Sequence, residues 1–375
     1  MKDTNLKVAI VHDWLIGGGA ELVVEQLHIL YPEAPIYTSY CTPAWRERLH
    51  GKVVTGWLQP LGRIRKYLPF LRAWWFSRLD LRQFDLVLSS SGAEAKGVKR
   101  LRPGALHINY CHAPTHYYWS RYEQYLKRPG FGVFDPLARF GLKILVGPMR
   151  RWDLTAAKRP DIMIANSSYI QSQIKKYYGR DATVIHPPVD TERFAPRTKT
   201  ERHGFLVTGR QTPYKRIGLA VQACTSLDLP LTVIGNGPDH QRLVKLAGPS
   251  ITFLTTVSDT NLPKHFQAAF GFIFPGLDDF GIVAVEALAA GTPVLAYEAG
   301  GALDYVTPGK TGEFFSAQTV TALSEVLQKF DPDTFDNRAI SDSAKAFDAA
   351  AFKARLSKLI DAELTRTAGD VAPDQ

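Results

Sequence analysis

Cysteine and methionine are scarce in this sequence, which contains three of each among its 375 residues. The cysteines, Cys41, Cys111 and Cys224, are odd in number and lie far apart along the chain. They predict neither the even set of a disulfide framework nor the paired spacing of a zinc site. So few cysteines fit a reducing compartment. No cluster of metal-ligating residues is apparent in the sequence either.

Long apolar runs are also missing. The run from Leu6 to Val11 is too short for a signal peptide and ends before a charged residue. The longest apolar stretch, from Gly281 to Tyr297, contains Glu286 and Pro293 and is too short and too broken to span a bilayer. We therefore expect a cytoplasmic protein without a targeting or membrane-spanning segment.

Acidic side chains are under-represented in the first half of the chain. Residues 1–165 contain 24 Lys and Arg but 13 Asp and Glu, a formal excess of +11. The remaining 21 basic and 23 acidic residues give −2. This asymmetry indicates that the first half meets an anionic surface or substrate.

The length suits two domains, each large enough for its own core. Short apolar runs recur in both halves, separated by helical or loop stretches, and we predict them to be buried strands. They are Val8–Val11, Val53–Leu58, Leu86–Leu88, His107–Cys111, Ile162–Ala165 and Val184–Ile185, then Gly204–Thr208, Leu231–Ile234, Ile251–Leu254, Gly271–Phe274, Pro293–Ala296 and Gly312–Phe315. Strands that alternate with helices predict parallel sheets with helices on both faces. The fold class is therefore α/β, with two doubly wound domains.

Several prolines between Pro187 and Pro196 predict the hinge between the domains, because each proline interrupts regular structure. We expect an N-terminal domain over residues 1–190 and a C-terminal domain over residues 191–345. The tail has a helical pattern, and its part from about residue 345 to 367 is expected to pack back on the first domain.

A glycine loop follows the first predicted strand. Gly17, Gly18 and Gly19 precede a helical pattern, and such glycines allow positive φ angles and a close approach of a ligand to the backbone. The loop lacks the Lys and Ser or Thr of a Walker A motif. A tight strand–helix turn without any ligand explains the same residues.

Residues 62–79 combine five basic and five aromatic residues with no acidic one. Basic side chains mixed with Trp suit a segment that lies on anionic lipid. The same composition suits stacking on nucleic-acid bases, or a buried aromatic helix with a solvated basic edge. A second basic patch extends from Arg121 to Arg151. The residues expected at a membrane or acceptor face are Arg63, Arg65, Lys66, Trp74 and Trp75.

Two carboxylates flank a predicted helix start. Asp278 and Glu286 have seven residues between them, and Gly281 lies where the helix begins. A helix N-terminus after a glycine presents free N–H groups suited to anions or sugar hydroxyls. The helix is so apolar that Glu286 needs a partner if it is buried, and a ligand hydroxyl would serve. Taken alone, Glu286 is better explained as a solvated side chain on the polar face of the helix.

Other polar residues follow predicted strands. Arg210 and Lys215 follow the first strand of the second domain, where Arg offers a planar fork to phosphate oxygens and Lys a mobile point charge. His112 follows the strand that ends at Cys111, at the edge where ligands bind in open α/β sheets. The alternatives are two solvated surface cations and a histidine bonded to the backbone.

The stretch from Phe274 to Gly301 resembles the carboxylate signature of the retaining glycosyltransferases of the GT-B fold, family 4. Glu286 matches the second Glu of that signature, whereas Asp278 stands where the first Glu is usual. The spacing of Arg210 and Lys215 after a glycine matches the family element that holds the donor diphosphate.

The resemblance implies a role for each matching residue. Asp278 and the backbone of Phe280 and Gly281 would bind the donor sugar, and Glu286 the ribose hydroxyls. Arg210, Lys215 and Gly281 would bind the diphosphate, and His112 would approach the transferred sugar. Val257 would line the base pocket, and Gly17 to Gly19 would face the cleft. Thr255 stands where the family commonly has Gly. The catalytic residues implied are His112, Asp278 and Glu286.

The resemblance also implies fold and function. It implies two Rossmann-like domains facing a central cleft, and transfer of a hexose from a nucleotide diphosphate sugar with retention and without a metal ion or other cofactor. The motifs most resemble those of bacterial polysaccharide mannosyltransferases, so the expected donor is GDP-mannose. A lipid-linked oligosaccharide or saccharide acceptor, met at the anionic inner face of the plasma membrane, would explain the basic first half.

Three other functions remain open from the sequence. A sugar-nucleotide epimerase of the same fold would consume its donor without an acceptor. A glycoside hydrolase would use Asp278 and Glu286 as its carboxylate pair, but Arg210 and Lys215 would then be idle. A non-enzymatic binder of nucleic acid or membrane would use the basic aromatic segment and leaves the second domain's motifs unexplained. We expect no nucleic-acid partner.

Overall fold

The structure is a computed structural model that describes residues 6–62, 64, 68–127, 132, 135–196 and 201–370. The chain forms two compact units. Unit 1 contains the described residues of Met1–Asn166, Ile170–Pro187 and Lys353–Gln375, and unit 2 contains Ser167–Tyr169 and Pro188–Phe352.

Unit 1 is built on a parallel sheet of seven strands in the order β3-β2-β1-β4-β5-β6-β7. β1, β4 and β5 are buried at every position, as expected of the central strands of a parallel sheet that is covered on both faces. The strands are β1 Val8–His12, β2 Ile36–Thr38, β3 Val53–Thr55, β4 Leu86–Ser91, β5 Leu106–Cys111, β6 Ile162–Ala165 and β7 Thr183–Val184.

Helices connect these strands, as parallel pairing requires. In chain order they are α1 Gly19–Leu30, α2 Pro43–Arg48, α3 Pro69–Arg78, α4 Tyr122–Lys127, α5 Asp135–Ala157 and α6 Ser168–Tyr178, with 3₁₀ turns at Gln59–Leu61 and Ala95–Gly97.

Unit 2 is built on a parallel sheet of six strands in the order β10-β9-β8-β11-β12-β13. In β11, Phe272 and Phe274 enter the core on one face of the sheet, whereas Ile273 enters the core on the other. Both faces are therefore covered. The strands are β8 Phe205–Thr208, β9 Leu231–Ile234, β10 Ile251–Leu254, β11 Gly271–Phe274, β12 Val294–Tyr297 and β13 Gly312–Phe315.

The helices from α7 onward are mostly short. They are α7 Thr191–Phe194, α8 Ile217–Ser226, α9 His240–Leu246, α10 Leu262–Gln267, α11 Ile282–Ala289, α12 Val320–Lys329, α13 Asn337–Ala344 and α14 Ala349–Asp370. 3₁₀ turns occur at Pro213–Lys215, Gly300–Asp304, Pro332–Thr334 and Lys345–Phe347.

The prediction of two parallel sheets with helices on both faces is confirmed, although several bounds differ by one to three residues. β2, Ile36–Thr38, was not predicted, since three residues are too few for a recognisable run. β3 ends at Thr55, not at residue 58. The proline-rich stretch after Pro187 contains the short helix α7, whose first turn is capped by the side chain of Asp190.

No helix among the described residues is both long and apolar enough to cross a bilayer.

Candidate functional site

The strand order of unit 2 reverses between β8 and β11, which lie side by side at the centre of the sheet. In doubly wound sheets, the chain leaves such a pair of strands toward opposite faces, and the crevice between the two loops is the usual ligand site. Here the two loops are residues 209–216 and 275–281. They carry Arg210, Lys215, Asp278 and Gly281.

Glycines allow the loops at this edge to pack backbone against backbone. A Cβ atom at Gly235, after β9, would lie 2.4 Å from the carbonyl oxygen of Gly209. A Cβ atom at Gly301, after β12, would lie 2.3 Å from the Cα atom of Phe280. Side chains at either position would force the loops apart, so these glycines help to fix the shape of the edge.

The two predicted cations have different surroundings. Lys215 ends a 3₁₀ turn and forms an ion pair with Asp278, whose side chain is 10% exposed. Arg210 is exposed, and its side chain has no hydrogen-bond or ion-pair partner among the described residues. The structure therefore brings Lys215 and Asp278 together and leaves the Arg210 guanidinium available to a ligand.

Gly281 caps the N-terminus of α11 in the left-handed region, with a φ of 94°. A Cβ atom there would lie 2.5 Å from Phe274 and 2.7 Å from the hydroxyl of Tyr305. The Tyr305 hydroxyl donates to the carbonyl oxygen of Phe280 at 2.8 Å, and the Phe280 ring packs on Tyr305 in the core. The Phe280 ring is therefore not available to a ligand, and the contact of its backbone with the donor sugar stays a prediction.

Glu286 lies on α11, partly buried, and its carboxylate has no hydrogen-bond partner among the described residues. Burial raises the pKa of this carboxyl to about 7. The Arg193 guanidinium opposes the rise, and the carboxylates of Asp190 and Asp259 reinforce it. An unpartnered carboxyl with a raised pKa is a common feature of ligand sites.

Val257 follows β10 and is partly buried against the core of unit 2. Thr255, the residue that departs from the family pattern, is exposed. The predicted base-pocket residue thus has an apolar side chain with one face in the core. Its contact with a base stays a prediction.

In unit 1 the glycine loop is tied to its own helix. Gly17 and Gly18 have φ angles of 116° and 152°, and Gly19 begins α1. The N–H groups of Ile16 and Gly17 donate to the Glu21 carboxylate at 3.2 and 3.0 Å. Part of the loop's hydrogen-bonding capacity is therefore used within the protein, and Glu21 is a residue that the sequence interpretation missed.

His112 follows β5 and lies beside the end of β4. Its Nε2 atom is hydrogen-bonded to the Ser90 hydroxyl at 2.8 Å. His12, at the end of β1, donates from Nδ1 to the carbonyl oxygen of Ser90 at 2.7 Å, and the two histidine rings meet edge to face. The neighbouring Asp13 carboxylate accepts the N–H groups of Gly92, Ala93 and Ala95 at 2.7–2.9 Å.

His12, Asp13 and Ser90 were not predicted as site residues. β1 and β4 are neighbours where the strand order of unit 1 reverses, so the ends of these strands meet. The signal was present in the sequence, since polar residues directly follow two apolar runs.

The basic aromatic segment is only partly available to a membrane. Arg63, Arg65 and Lys66 lie outside the described residues. Trp74 is 49% exposed, but Trp75 is 7% exposed and packs in the core of unit 1 against Phe76. The prediction that Trp75 lies at a membrane or acceptor face is therefore wrong, because its ring is part of the core of unit 1.

Arg72, another basic residue of this segment, is also buried. It forms an ion pair with Glu94 at 2.8 Å, with side chains 2% and 0% exposed. Arg72 is therefore not among the basic residues of this segment that are available to lipid, because Glu94 neutralises its charge inside the unit.

Across the described ranges, no three His, Cys, Asp or Glu side chains are grouped so that they could hold a metal ion.

Comparison with known proteins places this geometry in a family. The model of the family "Glycosyl transferases group 1" matches residues 188–347, and that of "Glycosyltransferase Family 4" matches residues 17–193. The two glycosyltransferase models together match residues 17–347, and the chain belongs to the family 4 (group 1) glycosyltransferases. The family resemblance predicted from the sequence is confirmed.

Two relatives show the range of activities in the family. A GDP-mannose-dependent alpha-(1-6)-phosphatidylinositol monomannoside mannosyltransferase of Mycolicibacterium smegmatis is 31% identical over 198 residues, covering 44% of this chain and 52% of that protein. A D-inositol 3-phosphate glycosyltransferase of Streptomyces avermitilis is 30% identical over 208 residues, covering 46% of this chain and 45% of that protein. The chain thus spans about half the length of these glycosyltransferase relatives.

Solved glycosyltransferase structures share the whole fold at low identity. HepE of Anabaena in complex with UDP-glucose is 19% identical, with a TM-score of 0.68 over 96% of this chain and 100% of that chain. Sucrose-phosphate synthase of Thermosynechococcus elongatus is 18% identical, with a TM-score of 0.69 over 96% and 100%. The GT-B fold with two Rossmann-like units, predicted from the sequence, is confirmed.

Proposed function

We propose that this glycosyltransferase is a retaining enzyme that transfers mannose from GDP-mannose to a lipid-linked or saccharide acceptor in polysaccharide biosynthesis. One observation carries the proposal. At the point where the strand order of unit 2 reverses, Arg210, the Lys215–Asp278 ion pair and the N-terminus of α11 occupy neighbouring loops, and the Arg210 side chain has no partner among the described residues.

These groups suit the charge that grows during the reaction. When the bond between the sugar C1 and the diphosphate breaks, negative charge develops on the departing phosphate oxygens. The Arg210 fork, the Lys215 ammonium and the positive end of α11 provide preorganised positive potential for that charge. The acceptor hydroxyl forms the new bond to C1 on the same face, so the departing phosphate oxygen lies within reach of its proton.

The carboxylates have complementary roles in the proposal. Asp278 accepts hydrogen bonds from sugar hydroxyls while Lys215 holds its orientation. Glu286, which lacks a protein partner in the described part of the chain, binds the ribose hydroxyls. Because Arg210 and Lys215 balance the diphosphate charge, we propose that no metal ion or other cofactor is required. Turnover should then be unchanged by the chelator EDTA.

The donor and the acceptor are supported by the kind of protein to which the chain is similar. The relative from Mycolicibacterium smegmatis is described as GDP-mannose-dependent and as acting on a phosphatidylinositol monomannoside. HepE was solved with UDP-glucose, so the fold accepts more than one base and hexose. A lipid-linked acceptor in the cytoplasmic leaflet agrees with the +11 charge of residues 1–165, and we propose a peripheral protein at the inner face of the plasma membrane.

A panel of labelled sugar nucleotides tests the function. The protein is incubated with each donor and a bacterial membrane lipid extract, and the products are separated by solvent partition. We expect label from GDP-mannose in the lipid phase, with an α-linkage by NMR. Label that enters only from UDP-hexoses would refute the donor, and conversion of the donor without any acceptor would indicate an epimerase instead.

The position of the first carboxylate has its own test, because Asp278 is one methylene shorter than the usual Glu. Asp278→Asn should strongly reduce transfer, whereas Asp279→Asn, one residue further along the same loop, should reduce it less. The opposite order in kcat/KM would show that Asp279 is the sugar ligand.

A further inference from the structure

The first half of α5 is a helix with no buried side chain. α5 extends over 23 residues, Asp135–Ala157, and its buried residues, Val146, Met149, Asp153, Ala156 and Ala157, all lie in the second half. From Asp135 to Leu145, every side chain is exposed or partly exposed. Isolated helices of this length are marginal in water, so this half is supported by the half that follows it.

The second half is firmly held in unit 1. The Asp153 carboxylate pairs with the fully buried Lys96 at 2.7 Å. It also accepts hydrogen bonds from the Trp119 indole at 2.7 Å and the Tyr178 hydroxyl at 2.8 Å. Removing one partner of a buried ion pair is strongly destabilising. The exposed half is therefore the continuation of a helix whose other half is fixed in place.

An apolar stripe follows the exposed half. Leu137, Phe140 and Ile144 recur at helical spacing and are 69%, 63% and 56% exposed. At about 100° per residue, they point roughly away from the side of Met149 and Asp153, which faces the unit. A helix of a globular protein normally turns its apolar stripe toward the core. This helix has an apolar side that the core does not cover.

The charge beside the stripe has one sign. Arg139 and Lys143 are exposed, and α5 contains no acidic residue between Asp135 and Asp153. At about 100° per residue, both lie on the same side of the stripe, Lys143 next to Phe140 and Arg139 further round the helix. Apolar residues on one face with Lys and Arg on the polar face are the pattern of helices that lie in the plane of a membrane interface. The positive charge is complementary to anionic lipid headgroups.

We propose that residues 136–145 of α5 dock on a membrane surface rich in anionic lipid. Leu137, Phe140 and Ile144 enter the headgroup–acyl boundary, and Arg139 and Lys143 bind lipid phosphates. This surface is distinct from the segment of residues 62–79. Its use rests on the proposed function, since it would bring the enzyme to a lipid-linked acceptor, but the binding itself does not depend on catalysis.

Vesicle sedimentation tests the surface. The full-length protein is mixed with phosphatidylcholine vesicles that contain or lack phosphatidylglycerol, at low and high salt. The stripe variant Leu137→Gln/Phe140→Gln/Ile144→Gln and the charge variant Arg139→Gln/Lys143→Gln should each bind the anionic vesicles about tenfold or more weakly than the wild type. Gln keeps the helix propensity, and circular dichroism checks the fold.

Matched controls come from exposed helical residues elsewhere. Ile29→Gln/Val244→Gln removes apolar residues that are 53% and 46% exposed on α1 and α9. Arg355→Gln/Lys358→Gln removes two exposed charges from α14. Both controls should bind vesicles like the wild type, which separates a local surface from a general effect of hydrophobicity or net charge.

Three results would overturn the proposal. The stripe and charge variants could bind anionic vesicles like the wild type, or the wild type could bind neutral vesicles equally well. A dimer in sedimentation velocity that the stripe variant dissolves would assign the face to a second copy of the chain. Transfer of labelled hexose by the wild type to the membrane lipid extract is measured in parallel. No transfer from any sugar nucleotide would refute the proposed function, whereas vesicle binding would still test the docking surface.

Discussion

At the scale of single residues, the ion pair between Lys215 and Asp278 makes the two predicted diphosphate ligands unequal. Asp278 is 8% exposed, and its carboxylate is paired with the Lys215 ammonium. The Arg210 side chain has no ion-pair or hydrogen-bond partner among the described residues. A substitution of Arg210 should therefore affect turnover alone, whereas a substitution of Lys215 should affect turnover and stability together.

We expect Arg210→Ala to lower kcat/KM by about 10–100-fold with an unchanged melting temperature, since a charge-assisted hydrogen bond contributes about 1.5–3 kcal/mol. Lys215→Ala should lower kcat/KM similarly. It should also reduce the free energy of unfolding by about 1–3 kcal/mol, because it leaves the Asp278 carboxylate without its ion-pair partner. Lys329→Ala, at the exposed end of α12, is the control and should change neither. Wild-type turnover in Arg210→Ala would remove this residue from the site.

Glu286 links the site to pH. Its pKa is raised in the folded protein to about 7 from an ordinary value of 4.5. Between these two pH values the unfolded chain has released the proton and the folded protein retains it. The free energy of unfolding therefore falls as the pH rises through this window, by at most about 3 kcal/mol.

Glu286→Gln should remove that dependence. We expect the variant to be more stable than the wild type at about pH 8 and equal to it below about pH 4.5, with little transfer activity at any pH. Urea unfolding across the pH range provides the comparison. A variant less stable than the wild type at pH 8 would mean that the ionised carboxylate has a stabilising partner.

At the scale of elements, the start of α11 depends on a glycine for two separate reasons. Gly281 has a positive φ of 94°, and a Cβ atom there would collide with Phe274 and Tyr305. Gly309 shares the positive φ, at 71°, but has open space around it. Substitutions at Gly281 and Gly309 therefore separate the cost of backbone strain from the cost of a steric collision.

Gly281→Ala should reduce the free energy of unfolding by more than about 2 kcal/mol and should also weaken donor binding, since the helix start must shift. Gly309→Ala should cost only the strain of a left-handed residue, about 1–2 kcal/mol, and leave donor binding intact. Calorimetry and donor titration distinguish the two. Equal effects of both substitutions would show that the loop absorbs the added methyl group.

The same elements show how far the sequence determines the outcome. The strand predictions succeeded where apolar runs are continuous, as in β1 and β11, and missed the three-residue β2. Arg210, Lys215 and Gly281 could be placed at one sheet edge because parallel strands end together. The pairing of Lys215 with Asp278 could not be predicted, nor could the burial of Trp75, since both depend on packing between segments distant in the chain.

At the scale of the whole molecule, the basic excess of residues 1–165 is the basis for the membrane attachment that we propose. Of the five basic residues in the segment of residues 62–79, Arg72 is neutralised by Glu94. The segment's contact with lipid must then come from its other cations and from Trp74. Each Lys or Arg near an anionic leaflet contributes about 1 kcal/mol, reduced by salt.

Arg63→Gln/Arg65→Gln/Lys66→Gln should weaken the pelleting of the protein with anionic vesicles and its activity on a lipid acceptor. Hydrolysis of the donor should be nearly unchanged. Binding of wild type and variant should both fall at high salt. Full vesicle binding by this variant would leave the exposed half of α5 as the membrane surface.

The path of the chain between the units also bears on the order in which they fold. Phe352, Leu356 and Ile360 of α14 are almost fully buried, and from Lys353 onward α14 belongs to unit 1. Unit 1 is therefore assembled from segments on either side of unit 2 along the chain. During synthesis, unit 2 is nearly complete once residue 352 has left the ribosome, whereas unit 1 still lacks a helix. Although domains generally fold first at the N-terminal side, the second unit of this protein can complete its core before the first.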